Sequence, residues 1–243
     1  MQILPVQNYD ELSETAAQIV LDTVSAKPDC LLGLATGSTP VGTYQRLVDA
    51  YRRGKIRFAR CQSVNLDEYA GLTPTHEASY RFFMQDNLFN HIDIPVHQTH
   101  LLDGTNADPA AECARYNARL TELGAADIQI LGLGHNGHIA FNEPAEHFTP
   151  RTHMAELDAQ TIDANRRFFA NRADVPRRAY TMGMADILSA RRILLLVSGA
   201  AKSEVLAQSL NGPITPKVPA SILQLHQNLT VIADTAAMQA FRQ

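Results

Sequence analysis

Short apolar runs alternate along this chain with stretches of helical pattern. Residues 30–34, 62–66, 128–133, 192–197 and 229–233 read as strands. Residues 39–52, 78–89, 109–123 and 200–210 read as helices, and residues 235–241 as a closing one. Pro40 suits the first turn of its helix, and Gly124 stops the helix that precedes it. Strands alternating with helices predict an α/β fold, a mostly parallel sheet covered by helices on both faces. No linker and no internal repeat divides residues 1–243, so one domain is expected.

Such sheets bind ligands beyond the carboxyl ends of their strands. The chemistry is therefore sought in the turns. After the first strand comes Thr36-Gly37-Ser38-Thr39, after the second Asp67-Glu68, and after the third Gly134-His135-Asn136-Gly137-His138. Small and hydroxyl residues at a helix start can cradle a phosphate, although Ser38 or Thr39 could equally be a plain helix cap. The loop has no Gly-Lys-Ser/Thr, so it is not a Walker loop.

A carboxylate half-buried at a strand end has a raised pKa and can act as a base. Asp67 and Glu68 are adjacent on an extended chain, so their side chains diverge and one of them enters the site; a helix-start acid is the other reading of the pair. Residues 132–137 match G-x-G-x-x-G. A dinucleotide site would need a helix there and an acid at a second strand end; Asn142-Glu143-Pro144 interrupts the helix instead. His138 with Glu143 makes an imidazole–carboxylate pair suited to proton shuttling. His135 and His138 lack a clear third ligand, so no metal is expected. Arg167 and Lys202 stand apart as cations. A lysine near a helix start opposes the dipole unless it meets an anion; a surface charge is the alternative for each.

Composition narrows the classes. Lys plus Arg number 21 and Asp plus Glu 25, so the net charge is −4 and the basic footprint of a nucleic-acid binder is missing. The densest apolar run, residues 193–197, is far short of the ~20 residues that span a membrane. Residues 1–14 carry no apolar signal core, and Cys30, Cys61 and Cys113 are an odd number with no C-x-x-C. A cytoplasmic enzyme is the expectation, with the cysteines in or near the core.

Several segments acquire meaning together: Leu34-Ala35-Thr36-Gly37-Ser38-Thr39-Pro40, Asn65-Leu66-Asp67-Glu68-Tyr69, and residues 132–144 ending His138-Ile139-Ala140-Phe141-Asn142-Glu143-Pro144. Ala164-Asn165-Arg166-Arg167-Phe168-Phe169 and Ser221-Ile222-Leu223-Gln224-Leu225-His226 join them. Over nearly the whole chain this set resembles the glucosamine-6-phosphate deaminase family of sugar-phosphate isomerases/deaminases. The resemblance implies a Rossmann-like fold and no organic cofactor. It implies conversion of glucosamine 6-phosphate and water to fructose 6-phosphate and ammonia, in amino-sugar and N-acetylglucosamine catabolism. Asp67 would move the proton between C2 and C1. His138 would open the ring, assisted by Glu143 and Asn136. Thr36, Gly37, Ser38, Thr39, Arg167 and Lys202 would grip the phosphate.

Some relatives have Asp where Asn136 stands; the amide supplies a hydrogen bond but no charge. Allosteric relatives bind N-acetylglucosamine 6-phosphate through Ser, Arg and Lys where this chain has Glu146, His153 and Ala155, and through a tail longer than one ending at Gln243. A non-allosteric monomer or small homo-oligomer is therefore expected. Residues 151–178, rich in Arg and Asn, are expected to form a lid that carries Arg167. The rival readings are a galactosamine-6-phosphate deaminase, a 6-phosphogluconolactonase and a non-catalytic sugar-phosphate sensor. A lactonase typically has Ser-Leu-Phe-Pro after its Gly-Gly-His turn, where this chain has Phe141-Asn142-Glu143-Pro144.

Overall fold

The computed structural model describes residues 1–241. Its strands are β1 (Gln2–Val6), β2 (Leu31–Leu34), β3 (Gln62–Asn65), β4 (Asp67–Tyr69), β5 (Thr99–His100), β6 (Ile128–Gly132), β7 (His153–Glu156), β8 (Arg178–Thr181), β9 (Ile193–Val197) and β10 (Leu229–Asp234). Its α-helices are α1 (Tyr9–Ala26), α2 (Val41–Arg52), α3 (Tyr80–Asn87), α4 (Pro109–Leu123), α5 (Ala159–Asn165), α6 (Met184–Leu188) and α7 (Ser203–Asn211). Seven strands form one sheet in the order β1-β10-β9-β6-β2-β3-β5, and all its pairings are parallel. Every residue of β9 and β10 is buried, so both faces of the sheet are covered, as in a doubly wound fold.

The strand order places the site. From β2 the chain winds outward through β3 to β5, then returns along α4 to lay β6 on the other side of β2. Loops leaving β2 and β6 therefore diverge, and a crevice opens between them at the carboxyl ends. The close approach of these two strands has a local cause. Gln129 of β6 is buried against Gly33 of β2, where a Cβ would meet Gln129 Oε1 at 2.1 Å.

A second sheet, order β4-β8-β7, is antiparallel. The chain passes from one sheet to the other at Leu66, whose carbonyl accepts a hydrogen bond from the Met182 N–H at 2.7 Å. Tyr69, Phe141, Ala155, Leu157 and Ala179 give this sheet its own small core.

Helix α4 occupies the residues read from the sequence. Asp108 caps it by accepting from the Ala110 and Ala111 N–H groups, and Gly124 ends it at φ 77°. The expected closing helix over 235–241 is absent: the residues form turns, tied down by Asp234 Oδ1 to the Ala237 N–H and by Ser203 Oγ to the Ala240 N–H. Strand β1 and helix α1 stand where no element was predicted. Helix α1 buries Leu12, Ala16, Ala17, Val20 and Val24, a helical face that was readable, and Asn8 caps it.

Candidate active site

The crevice is a pocket of about 550 Å³ whose walls come from six segments of the chain, Tyr80 of α3 among them. The β2–α2 loop contributes Thr36, Gly37, Ser38 and Thr39; the start of β4 contributes Asp67; the loop after β6 contributes Gly134, His135, Asn136 and His138. Helix α5 and its following turn contribute Gln160, Thr161, Asn165 and Arg167, and the turn before α7 contributes Lys202. A somewhat larger groove, about 640 Å³, runs between α1 and α2. It is edged by surface charges such as Arg46, which pairs with Asp10 and Glu14, and it lies away from the strand ends.

The β2–α2 loop is shaped for close approach. Gly37 has φ 90° with open space where a Cβ would stand. The Tyr44 hydroxyl donates to the Ala35 carbonyl at 2.6 Å and the Tyr9 hydroxyl to the Ser38 carbonyl at 3.0 Å, which fixes the loop from behind. Helix α2 begins after Pro40 with no side-chain cap, so neither Ser38 nor Thr39 acts as the cap the sequence allowed. The dipole end of α2 and these hydroxyls face the pocket instead.

Asp67 and Glu68 part company as the extended backbone requires. Glu68 turns away and accepts from the backbone N–H groups of Tyr69, Tyr80 and Arg81, holding the start of α3. Asp67 faces the pocket. Burial, with the Glu68 charge behind it, pushes the Asp67 carboxyl well above the usual range.

The loop after β6 seats an imidazole against a carboxylate. His138 Nδ1 lies 3.3 Å from Glu143 Oε2. The Asn136 amide donates to the same oxygen at 2.7 Å, and its Oδ1 accepts from the His138 backbone N–H at 3.2 Å. Asn136 thus braces the pair through Glu143, not through the imidazole ring. Burial opposes ionisation of Glu143, but hydrogen bonds from His138, Thr161 and Asn136 hold its carboxyl below the ordinary value. No helix starts over 132–137, in keeping with rejection of a dinucleotide site. Ala140 adopts φ 53° in the turn that returns the chain toward Glu143. That turn is closed by the Asn142 amide, which donates to the Ile139 and Met182 carbonyls.

The two separate cations converge. Arg167 donates to Ser38 Oγ at 3.3 Å across the mouth of the pocket. Burial, then the Arg167 charge, lowers the Lys202 pKa to about 8. Burial, then Lys202, His138 and Arg167, also holds the His135 imidazole below its ordinary value. The part of these shifts that comes from mutual repulsion among Lys202, His135 and Arg167 is relieved when an anion binds between them. Among the described residues no group of three His, Cys, Asp or Glu side chains is arranged to hold a metal ion.

The structure brings Asp67, Asn136, His138 and Thr36 to Thr39 to one pocket with Arg167 and Lys202, and Glu143 stands behind His138. Residues 221–226 do not line it; just before them, the Ala220 N–H donates to the Gly137 carbonyl at 2.8 Å. Sequence reasoning missed Tyr80, Gln160, Thr161 and Asn165. Thr161 and Asn165 lie one turn apart on α5, a spacing that becomes readable once Arg167 marks the segment as part of the site.

Comparison with known proteins places this fold in a family. Residues 6–232 match the model of the glucosamine-6-phosphate isomerases/6-phosphogluconolactonase family, and the chain belongs to that family. Within it, the chain is 51% identical to a glucosamine-6-phosphate deaminase of Lachnoclostridium phytofermentans, over 96% of this chain and 98% of the relative. It is 49% identical to one from a Geobacillus species, over 98% and 95%. A solved structure described as a monomeric glucosamine-6-phosphate deaminase superposes with a TM-score of 0.96 at 46% identity, over 99% of this chain and all of that one. The 6-phosphogluconolactonase of Trypanosoma brucei shares the fold, with a TM-score of 0.77 at 20% identity over 99% and 98%.

Proposed function

We propose that this chain is a glucosamine-6-phosphate deaminase, hydrolysing a C–N bond after isomerisation of the sugar in amino-sugar and N-acetylglucosamine catabolism. One observation carries the reading: a buried carboxylate, Asp67, and an imidazole–carboxylate pair, His138 with Glu143, border one pocket whose mouth is cationic. The relatives named above, nearly full-length matches at about half identity, support the same reading.

The phosphate sits against Thr36, Gly37, Ser38 and Thr39 and pairs with Arg167 and Lys202. It does not react; its binding energy holds the sugar so that C2 meets Asp67. His138 takes the proton from O1 and delivers one to O5 as the pyranose opens. Asp67 then removes the C2 proton, leaving an enolamine, and returns a proton to C1, which makes C2 an iminium carbon. Water adds at C2, the C–N bond breaks, and ammonia and fructose 6-phosphate leave. Burial, with the Glu68 charge, raises the Asp67 pKa above the ordinary carboxylate range, which makes it a stronger base for this step. Residues 151–178 act as the lid, excluding water while the enolamine exists.

The enzyme works without a cofactor, in the cytoplasm, as a monomer or small homo-oligomer, and without allosteric control. The positions considered for an effector are occupied otherwise: Glu146 pairs with Lys217, His153 lies in β7, and Ala155 is buried in the small core.

Ammonia release from glucosamine 6-phosphate, run beside galactosamine 6-phosphate, tests the proposal. Release from the first sugar, reduced at least ~100-fold by Asp67→Asn, is expected. Release from galactosamine 6-phosphate alone would move the substrate to the other epimer. No release from either would move the chain to the lactonase or sensor reading.

A further inference from the structure

Glu143 is the point at which the covering segment touches the acid/base pair. Its Oε1 accepts from the Asp158 N–H, the residue that caps α5, at 3.4 Å, while Oε2 faces His138 and Asn136. One turn further along α5, Thr161 is buried and its Oγ1 lies 3.4 Å from His138 Nδ1, with its hydroxyl also bonded to Glu143. Beyond α5, Arg167 reaches Ser38 on the opposite wall. One short segment thus joins the anion loop to the imidazole.

A threonine hydroxyl between these groups has a definite role. Its proton goes to the carboxylate, and its lone pair shares the Nδ1–H of the imidazole with Glu143 Oε2. That fixes the ring so that Nε2 is free to exchange protons. The other ionisable groups near the pair are His135 on the same loop, Asp158 and Arg167 on the covering segment, and Lys202 before α7.

We propose that Thr161 is a positioning residue: its hydroxyl, carried on the segment that bears Arg167, completes the His138–Glu143 pair. The proposal rests on the deaminase reading and deepens it.

The test compares Thr161→Val, which keeps the shape and removes the hydroxyl, with Thr161→Ser, which keeps the hydroxyl. Thr161→Ala, which needs no extra room, serves if the valine does not fold. The expected result is a kcat about tenfold lower for Val or Ala with KM changed less than about twofold, and recovery in Ser to within about threefold. In the free protein, carboxyl NMR should show the Glu143 titration moving up in Val and staying in place in Ser, because the anion has lost a donor. Equal kcat and equal titration in Val and wild type would overturn the proposal, as would a Ser variant as impaired as Val. The titration needs no turnover, so it separates failure of this proposal from failure of the deaminase reading, which wild-type ammonia release decides.

Discussion

One glycine and one lysine show how single residues set the chemistry. A Cβ on Gly134 would lie 2.3 Å from Cδ2 and Nε2 of the His138 ring, so any side chain there displaces the imidazole. Gly134→Ala should lower kcat by about 100-fold while circular dichroism stays native, since about an ångström of misplacement is enough. Lys202 supplies a prediction with a defined sign. Its pKa is lowered to about 8, so it is charged below that pH and neutral above it. Affinity for fructose 6-phosphate, which carries the phosphate but no titrating amine, should fall as pH rises through about 8. Calorimetry across that range should find the fall in the wild type and a flat, weaker profile in Lys202→Met.

At the scale of elements, legibility followed local chemistry. Helix α4 was readable because Asp108, Pro109 and Gly124 each announce an end. Asp67 was readable as a strand-end acid, although it is in fact the first residue of a new strand. The small sheet was not readable: β4, β7 and β8 are 3 or 4 residues long, and the β4–β8 pairing joins residues over 100 positions apart. Nothing local marks such contacts. Helix α1 opens on a polar and acidic turn, and its apolar face shows clearly only over Ala16, Ala17, Val20 and Val24. The segment between β7 and β8 carries its own prediction. It exposes several arginines, and its only buried α5 residue is Thr161. Limited trypsin digestion should cut it in the free protein and be slowed several-fold by saturating glucosamine 6-phosphate at low temperature. Unchanged cleavage would argue against a lid.

For the molecule as a whole, the switch point between β2 and β6 explains why residues from distant parts of the chain meet in one crevice. The positions of Glu146, His153 and Ala155 bear on regulation at this scale. Rate against glucosamine 6-phosphate concentration should be hyperbolic, and N-acetylglucosamine 6-phosphate should neither activate it nor change its shape; sigmoidal kinetics relieved by that ligand would overturn the expectation.

The passage of the chain between sheets at Leu66 has a consequence for how the site can change over time. Asp67 is paired with Thr181 of β8, which in turn faces His153 of β7. The long excursion between β7 and β8 leaves from and returns to this ladder. Insertions or deletions in the excursion therefore alter the cover without disturbing the seat of the carboxylate. Substrate preference is free to drift through the cover, while the atom that takes the C2 proton is held by a separate framework.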